Sequence, residues 1–241
     1  MTLTVGFDLD LTLVDTRLGI AAALDELSAE TGVPIDSTAA VARLGPPLAE
    51  ELAHWFPAAD VPAMVELFRS IYPLHAVEPS PLLPGAAEAF EVVRDRAGRI
   101  MVVTSKLGRL AQLHLDHLGL KADVVAGNVF GADKGAVLRE HGASIYVGDH
   151  LGDVRAAQVG GCVSVGVTTG PISAADLRAA GADVVLADLT AFPAWLAGHL
   201  TARVPPRSVV HRPGTTVGQN SRPISSVRRG RSDGGTGKGY R

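Results

Sequence analysis

Two carboxylates one residue apart, Asp8 and Asp10 in Asp8-Leu9-Asp10-Leu11-Thr12, follow directly on the apolar run at 3–7. Residues two apart in a strand project to the same side, so both side chains can converge on one point where the chain leaves a sheet. A second acidic pair, Asp149 and Asp153 in VGDHLGD, follows another apolar run at 144–147. Gathering carboxylates is costly unless a cation or a proton relieves their repulsion. The pattern therefore points to a hard metal ion and to chemistry on an anion. A purely structural role explains Asp8 poorly, because a buried Asp without a partner is rarely tolerated.

The elements that must position these groups follow from periodicity. Strands are expected at 3–7, 100–104, 123–126, 144–147, 163–167 and 183–186, all short, rich in Val and Ile, and continuous in hydrophobicity. Such runs suit strands covered on both faces. Helical spacing lies between them at 86–96, 109–118, 135–141 and 153–159. Gly119, Gly142 and Gly160-Gly161 suit left-handed helix ends there. The alternation predicts an α/β fold with a Rossmann-like parallel sheet and helices on both faces. Ligands of such sheets lie at the carboxyl ends of the strands, where the acidic pairs fall.

One stretch breaks the alternation. Residues 17–80 show helical segments at 18–30, 38–43, 47–55 and 61–72 and no convincing strand, which predicts a helical cap inserted between a core of 1–16 and 81–200. Residues 201–241 are rich in Pro, Gly, Ser, Thr and Arg and lack apolar periodicity, so a disordered basic tail is expected. Residues 203–241 hold nine Lys and Arg against one Asp, leaving 13 basic and 24 acidic groups in the first 202 residues. The acidic body has no global affinity for nucleic acid, and only the tail is a candidate for weak polyanion binding.

A single cysteine, Cys162, excludes an internal disulfide and fits a reducing compartment. Its apolar setting suggests an inert buried strand residue. Asp8 cuts the N-terminal apolar run, and no stretch is long enough to span a bilayer, so no leader and no membrane segment are expected and the protein is read as cytoplasmic.

Four segments in order resemble the haloacid dehalogenase-like hydrolase superfamily, in its capped, phosphoglycolate phosphatase-like branch. They are DLDLT, VVTSK with Thr104 and Ser105, GADKG with Lys134, and GDHLGD with Asp149 and Asp153, and the likeness spans roughly residues 3–200. The resemblance implies that Asp8 is a nucleophile forming an aspartyl-phosphate, and that Asp10 protonates the departing alkoxide and then activates water. It implies Mg²⁺ held by Asp8, Asp149 and the Asp10 backbone carbonyl, with Asp153 ligating or orienting metal-bound water. Thr104, Ser105 and Lys134 would hold phosphoryl oxygens, and the substrate would be a small-molecule phosphate ester.

Three points depart from the pattern or compete with it. Lys134 lies unusually close to Asp149, although a helix of about 8 residues descending roughly 12 Å and a strand climbing some 17 Å still bring both to one edge. Lys106 is the rival phosphate-binding lysine, and the bland alternative for either lysine is a solvated surface residue. Leu11 stands where Gly is common. Arg43 is the candidate cap contact for a substrate anion, and His150 is a candidate for facing the site through its place in the fourth motif. His114 and His117 are read as solvent-facing, Trp55 and Phe56 as cap core, and Glu50-Glu51 as an exposed helical face. The competing functions are a phosphomutase similar to β-phosphoglucomutase and an interaction protein using its basic tail. Oligomeric state is not legible.

Overall fold

A computed structural model describes residues 2–202. The basic tail therefore lies outside the described residues, except that the last helix runs to Ala202 and carries folded structure two residues past the expected boundary.

In chain order the elements are β1 (Thr4–Phe7), α1 (Arg17–Thr31), α2 (Ser37–Val41), α3 (Leu48–Leu52), α4 (Val61–His75), α5 (Ala86–Arg94), β2 (Arg99–Val103), α6 (Gly108–His117), β3 (Val124–Ala126), α7 (Gly131–Glu140), β4 (Ile145–Gly148), α8 (Leu151–Gly160), β5 (Val163–Val167), α9 (Ala174–Ala179), β6 (Val184–Leu186), a 3-10 turn (Leu189–Ala191) and α10 (Phe192–Ala202). All six expected strands are present with ends within one residue of expectation. Helices α9 and α10 carried no expectation from the sequence. Helix α7 begins four residues earlier than expected, so Lys134 lies in its first turn rather than before it.

The sheet order is β3-β2-β1-β4-β5-β6 and every pair is parallel. Phe7 sits opposite Val102 on one side and Val147 on the other, so β1, β2 and β4 end level with one another. Asp8, Thr104 and Asp149 consequently leave the sheet at one edge.

Strand alternation decides which helices face the chemistry. Val5, Phe7, Ile100, Val102, Ile145 and Val147 pack into the core on one face, with Phe7 against Phe90 and Phe192 at 5.3 and 5.6 Å between ring centroids. Met101, Val103 and Tyr146 belong to the opposite core, which α7 and α8 cover. Asp8 follows the parity of Gly6 toward that second face. Gly135 lets the two covering helices approach closely, since a Cβ there would lie 2.6 Å from the Val159 side chain and 2.7 Å from the Ala156 carbonyl.

Residues of α1, α2, α3 and α4 gather a separate buried cluster that includes Leu24, Leu27, Leu52, Phe56, Phe68 and Tyr72, with Trp55 packed against it. The strands entering and leaving this segment hold one another: Asp15 N–H donates to the Pro81 carbonyl and Leu83 N–H to the Leu13 carbonyl, both at 2.9 Å. None of the helices among the described residues is long and apolar enough to cross a membrane.

Candidate active site

The three carboxylates of Asp8, Asp149 and Asp153 are all buried, and one oxygen from each lies within 4.8 Å of the others. Register places the first two, and the first turn of α8 delivers the third. Lys134 reaches across from α7 and donates to Asp8 Oδ1 at 2.9 Å and to Asp153 Oδ1 at 2.7 Å. Asp153 also accepts from the Tyr146 hydroxyl (3.2 Å) and from the His150 backbone N–H (3.2 Å). Asp149 accepts from the Thr12 hydroxyl at 2.9 Å. Gly170 makes room for it, because a Cβ there would lie 1.8 Å from Asp149 Oδ2.

One ammonium among three carboxylates leaves this cluster short of positive charge. Burial pushes Asp8 up to about 7; Lys134 offsets part of that, while Asp153 and Asp10 add to it. Asp149 is raised well above the usual carboxylate range, by burial and then by Asp153 and Asp8, against the Thr12 hydrogen bond. Burial works against the charge on Lys134, yet Asp153 and Asp8 outweigh it and hold the ammonium far above its ordinary value. A donor set made wholly of oxygens, with excess negative charge, fits a hard divalent cation.

Asp10 is held apart. Its carboxylate stands 2.9 Å from Lys106 Nζ, in a charge contact rather than an aligned hydrogen bond. Burial alone would raise Asp10, but Lys106 prevails and keeps it below its ordinary value. Lys106 in turn donates to the Tyr72 hydroxyl at 2.7 Å and lies 4.4 Å from that ring's centroid. The Tyr72 hydroxyl is also 2.9 Å from His114 Nε2. An ammonium can only donate, so Tyr72 accepts from Lys106 and its own O–H donates to the imidazole. Burial, reinforced by Lys106, lowers His114 to about 4, which keeps Nε2 free as the acceptor. Burial likewise raises the Tyr72 phenol to about 12, so it stays protonated.

Several expectations are corrected by these contacts. Lys106 is not a solvated surface residue; it is buried and partners Asp10, while Lys134 partners Asp8, so both lysines enter the site. His114 is fully buried beneath α4 rather than solvent-facing, whereas His117 is exposed as expected. The Asp10 side chain stays outside the three clustered carboxylates, and the metal contact expected of Asp10 is through its backbone carbonyl. Thr104 is fully buried, and its hydroxyl accepts from the Lys106 N–H at 3.2 Å; the cavity wall at this point is Ser105. Arg43 lines the cavity but is bound in bidentate fashion by Glu51, at 2.6 and 3.1 Å, with the Trp55 indole also donating to Glu51. Glu51 is therefore not simply an exposed helical face. Leu11 takes the left-handed conformation (φ 59°) with its side chain buried, so the turn glycine would ease is made by a packed leucine. Such a conformation costs about 1–2 kcal/mol outside glycine.

Cys162 lies one residue before β5 and is half-buried; burial raises its thiol to about 11, which leaves it inert. His150 does face the cavity, packs on Gly45 of the helical segment, and caps α8 by accepting from Gly152 N–H at 3.1 Å. Thr12, Tyr72 and Tyr146 carry no expectation of a site role from the sequence. Thr12 was visible within DLDLT, and its hydroxyl two residues beyond Asp10 was the signal; no local signal marks the others.

Above these groups lies a cavity of about 610 Å³. Its floor includes Asp8, Asp10, Lys106, Lys134, Asp149 and Asp153, and its outer wall is formed by α1–α4 and the loop at 43–47.

Comparison with known proteins agrees with this layout. A family model described as haloacid dehalogenase-like hydrolase matches residues 5–158. A phosphoglycolate phosphatase from Yersinia pseudotuberculosis is 30% identical over 189 residues, covering 69% of this chain and 81% of that protein. One from Caulobacter vibrioides is 28% identical over 210 residues, covering 76% and 86% respectively. Among solved structures, a haloacid dehalogenase-like family hydrolase from Streptococcus pneumoniae superposes with a TM-score of 0.70 at 23% identity, over 83% of this chain and 98% of that one, which speaks for the fold. The chain belongs to the haloacid dehalogenase-like hydrolase family, in its phosphoglycolate phosphatase-like branch.

Proposed function

We propose that the protein is a Mg²⁺-dependent phosphatase that hydrolyses a small phosphate monoester through a phosphorylated Asp8. The observation that carries this reading is the division of labour among the buried acids: Asp8 sits with Asp149, Asp153 and Lys134, while Asp10 is held separately by Lys106. Asp8, Asp149 and Asp153 would hold the metal, with the Asp10 backbone carbonyl as a further ligand. The ion would neutralise the phosphoryl oxygens and so weaken the repulsion that slows attack on a dianion.

An Asp8 oxygen attacks phosphorus as the P–O bond to the alcohol breaks, and the departing alkoxide takes a proton from Asp10. Asp10 then removes a proton from water, which attacks phosphorus and releases inorganic phosphate and the Asp8 carboxylate. Lys106 keeps Asp10 ionised at rest, and an arriving phosphoryl anion raises Asp10 toward the protonated form needed for the first step. Lys134 faces the charge that develops on phosphoryl oxygens. Thr104, buried behind the wall, accepts from Lys106 N–H and so holds that loop, while Ser105 offers a hydroxyl from the wall to a phosphoryl oxygen. The helices of residues 17–80 serve as the cap that excludes bulk water.

Asp10→Asn tests the acid role. It should slow an alkyl phosphate by at least ~10²-fold and p-nitrophenyl phosphate by much less, since that leaving group needs little protonation. Equal losses on the two esters would remove Asp10 from the role given to it.

The raised carboxylates predict a proton linkage. A cation entering the site must displace protons from Asp8 and Asp149, so Mg²⁺ affinity should fall as pH is lowered from 8 to 6, steepening below about 7 where Asp8 is protonated. Titration calorimetry in buffers of different ionisation enthalpy would measure the protons released. Binding without proton release would contradict the assignment of these ligands.

A further inference from the structure

The cavity above the acids speaks to the rest of the substrate, and the inference drawn from it rests on the phosphatase reading. A volume of about 610 Å³ lies in the range that encloses a sizeable organic body, roughly 300–1,000 Å³. The wall away from the acids is apolar, with Leu24, Leu44, Val65 and Phe68 on the helical side and Leu107 and Phe130 on the sheet side.

The cations on that wall are already engaged. Arg43 is bound by Glu51, and Arg69 by Glu66 at 2.6 Å. Lys106 and Lys134 are committed to Asp10, Asp8 and Asp153 on the floor. Among the described residues, no Lys or Arg lining the cavity lacks a carboxylate partner. A substrate with a second anionic group would have to strip Arg43 from Glu51. That exchange would leave the Glu51 carboxylate, with Glu50 also on the wall, facing the newcomer. Arg43 is itself 42% exposed, so the exchange is opposed chiefly by the Glu51 carboxylate, whose side chain is only 14% exposed, and by the like charge of the newcomer.

We infer that the substrate is a phosphate monoester of a bulky, uncharged and largely apolar alcohol, and that phosphoglycolate, short and carrying a carboxylate, is a poor fit. The apolar body fills the space between α1, α4 and the start of α6, and burial there supplies binding energy that glycolate cannot.

The test uses the full chain with Mg²⁺ and measures phosphate released from 2-phenylethyl phosphate, 2-phosphoglycolate and p-nitrophenyl phosphate. The first two both expel an alkoxide, so their ratio reports the cavity rather than leaving-group chemistry. The expected result is a kcat/KM at least tenfold higher for 2-phenylethyl phosphate, carried mainly by KM. Glu51→Gln keeps the acceptor for Trp55 but releases Arg43, and should raise kcat/KM for 2-phosphoglycolate about tenfold relative to that for 2-phenylethyl phosphate. A wild-type preference for 2-phosphoglycolate would overturn the inference and leave the phosphatase reading standing, and so would absence of any relative gain for that ester in Glu51→Gln. Failure to release phosphate from all three esters would overturn the phosphatase reading and this inference with it.

Discussion

Asp8→Asn is expected to abolish turnover, by on the order of 10⁴-fold or more, because a neutral amide is no nucleophile toward phosphorus and a weaker metal ligand. The fold should survive. Asn can still accept the hydrogen bond from Lys134, and Lys134 keeps Asp153 as its second partner. The stability effect has a definite sign. With its folded value near 7, well above the 3.8 of a free Asp, the Asp8 site binds more protons folded than unfolded between those values. Its contribution to stability is therefore greatest at low pH and is lost as pH rises toward 7. In the metal-free protein at pH 8, above the Asp8 value, Asp8 carries a buried charge that its acidic neighbours disfavour, and Asp8→Asn removes it. Its Tm there should equal or exceed that of the wild type, while activity falls to background. Single-turnover assays and thermal melts at pH 8 after chelation check both halves. Retained turnover would end the nucleophile assignment.

Lys134→Met and Lys106→Met should both cripple the enzyme, by different routes. Removing Lys134 takes the ammonium from Asp8 and Asp153, so kcat/KM should fall about 10²–10³-fold and, with Asp8 raised further, the acidic limb of the pH profile should move to higher pH. Removing Lys106 acts on Asp10. Without the ammonium, burial dominates and the Asp10 value rises, so the protonated form needed in the first step persists further and the alkaline limb of the kcat/KM profile should move to higher pH. Tyr72 also loses its donor, and the bond from α4 to the site goes with it. The readout is the pair of pH–rate profiles. A Lys106→Met enzyme with the wild-type rate and profile would mean that its contact with Asp10 has no part in the chemistry.

Tyr72 gives this second lysine a further consequence. It is a point where the helical segment touches the Asp10–Lys106 pair, through Lys106, and α6, through His114. The His114 imidazole stays neutral because burial and Lys106 both oppose its charge. The relay is thus fixed in direction, from ammonium to phenol to imidazole, and it locks α4 onto α6.

How much of this was legible in the residues varies by element. The six strands were, because continuous Val- and Ile-rich runs bounded by turns have few other readings in a sheet covered on both faces. The acidic pairs were, because carboxylates directly after such runs must leave at strand ends. Helix α10 was not, since its apolar residues do not follow one face clearly, and its place against Phe7 is a matter of ring packing at 5.6 Å. His114 and His117 sit three apart on one helix, and nothing local says which is covered. The packing of α4 over α6 buries the first and leaves the second in water. Lys106 next to Thr104 looked like a rival for one role. Only folding reveals two roles, because Lys134 comes from α7 and Lys106 from the loop before α6, and the two ammonium groups meet different carboxylates.

By itself the chain determined the parallel sheet, the strand-end acids, the helical insert and the family they belong to, since these rest on periodicities and spacings that short stretches carry. Tertiary structure decided which charges pair, that Arg43 is consumed by Glu51, that Tyr72 reaches Lys106, and how large and apolar the cavity is. The physical reason is range. Burial patterns are written within a few residues, whereas ion pairs at 2.6–2.9 Å join side chains as far as 126 positions apart and exist only once the helices have packed.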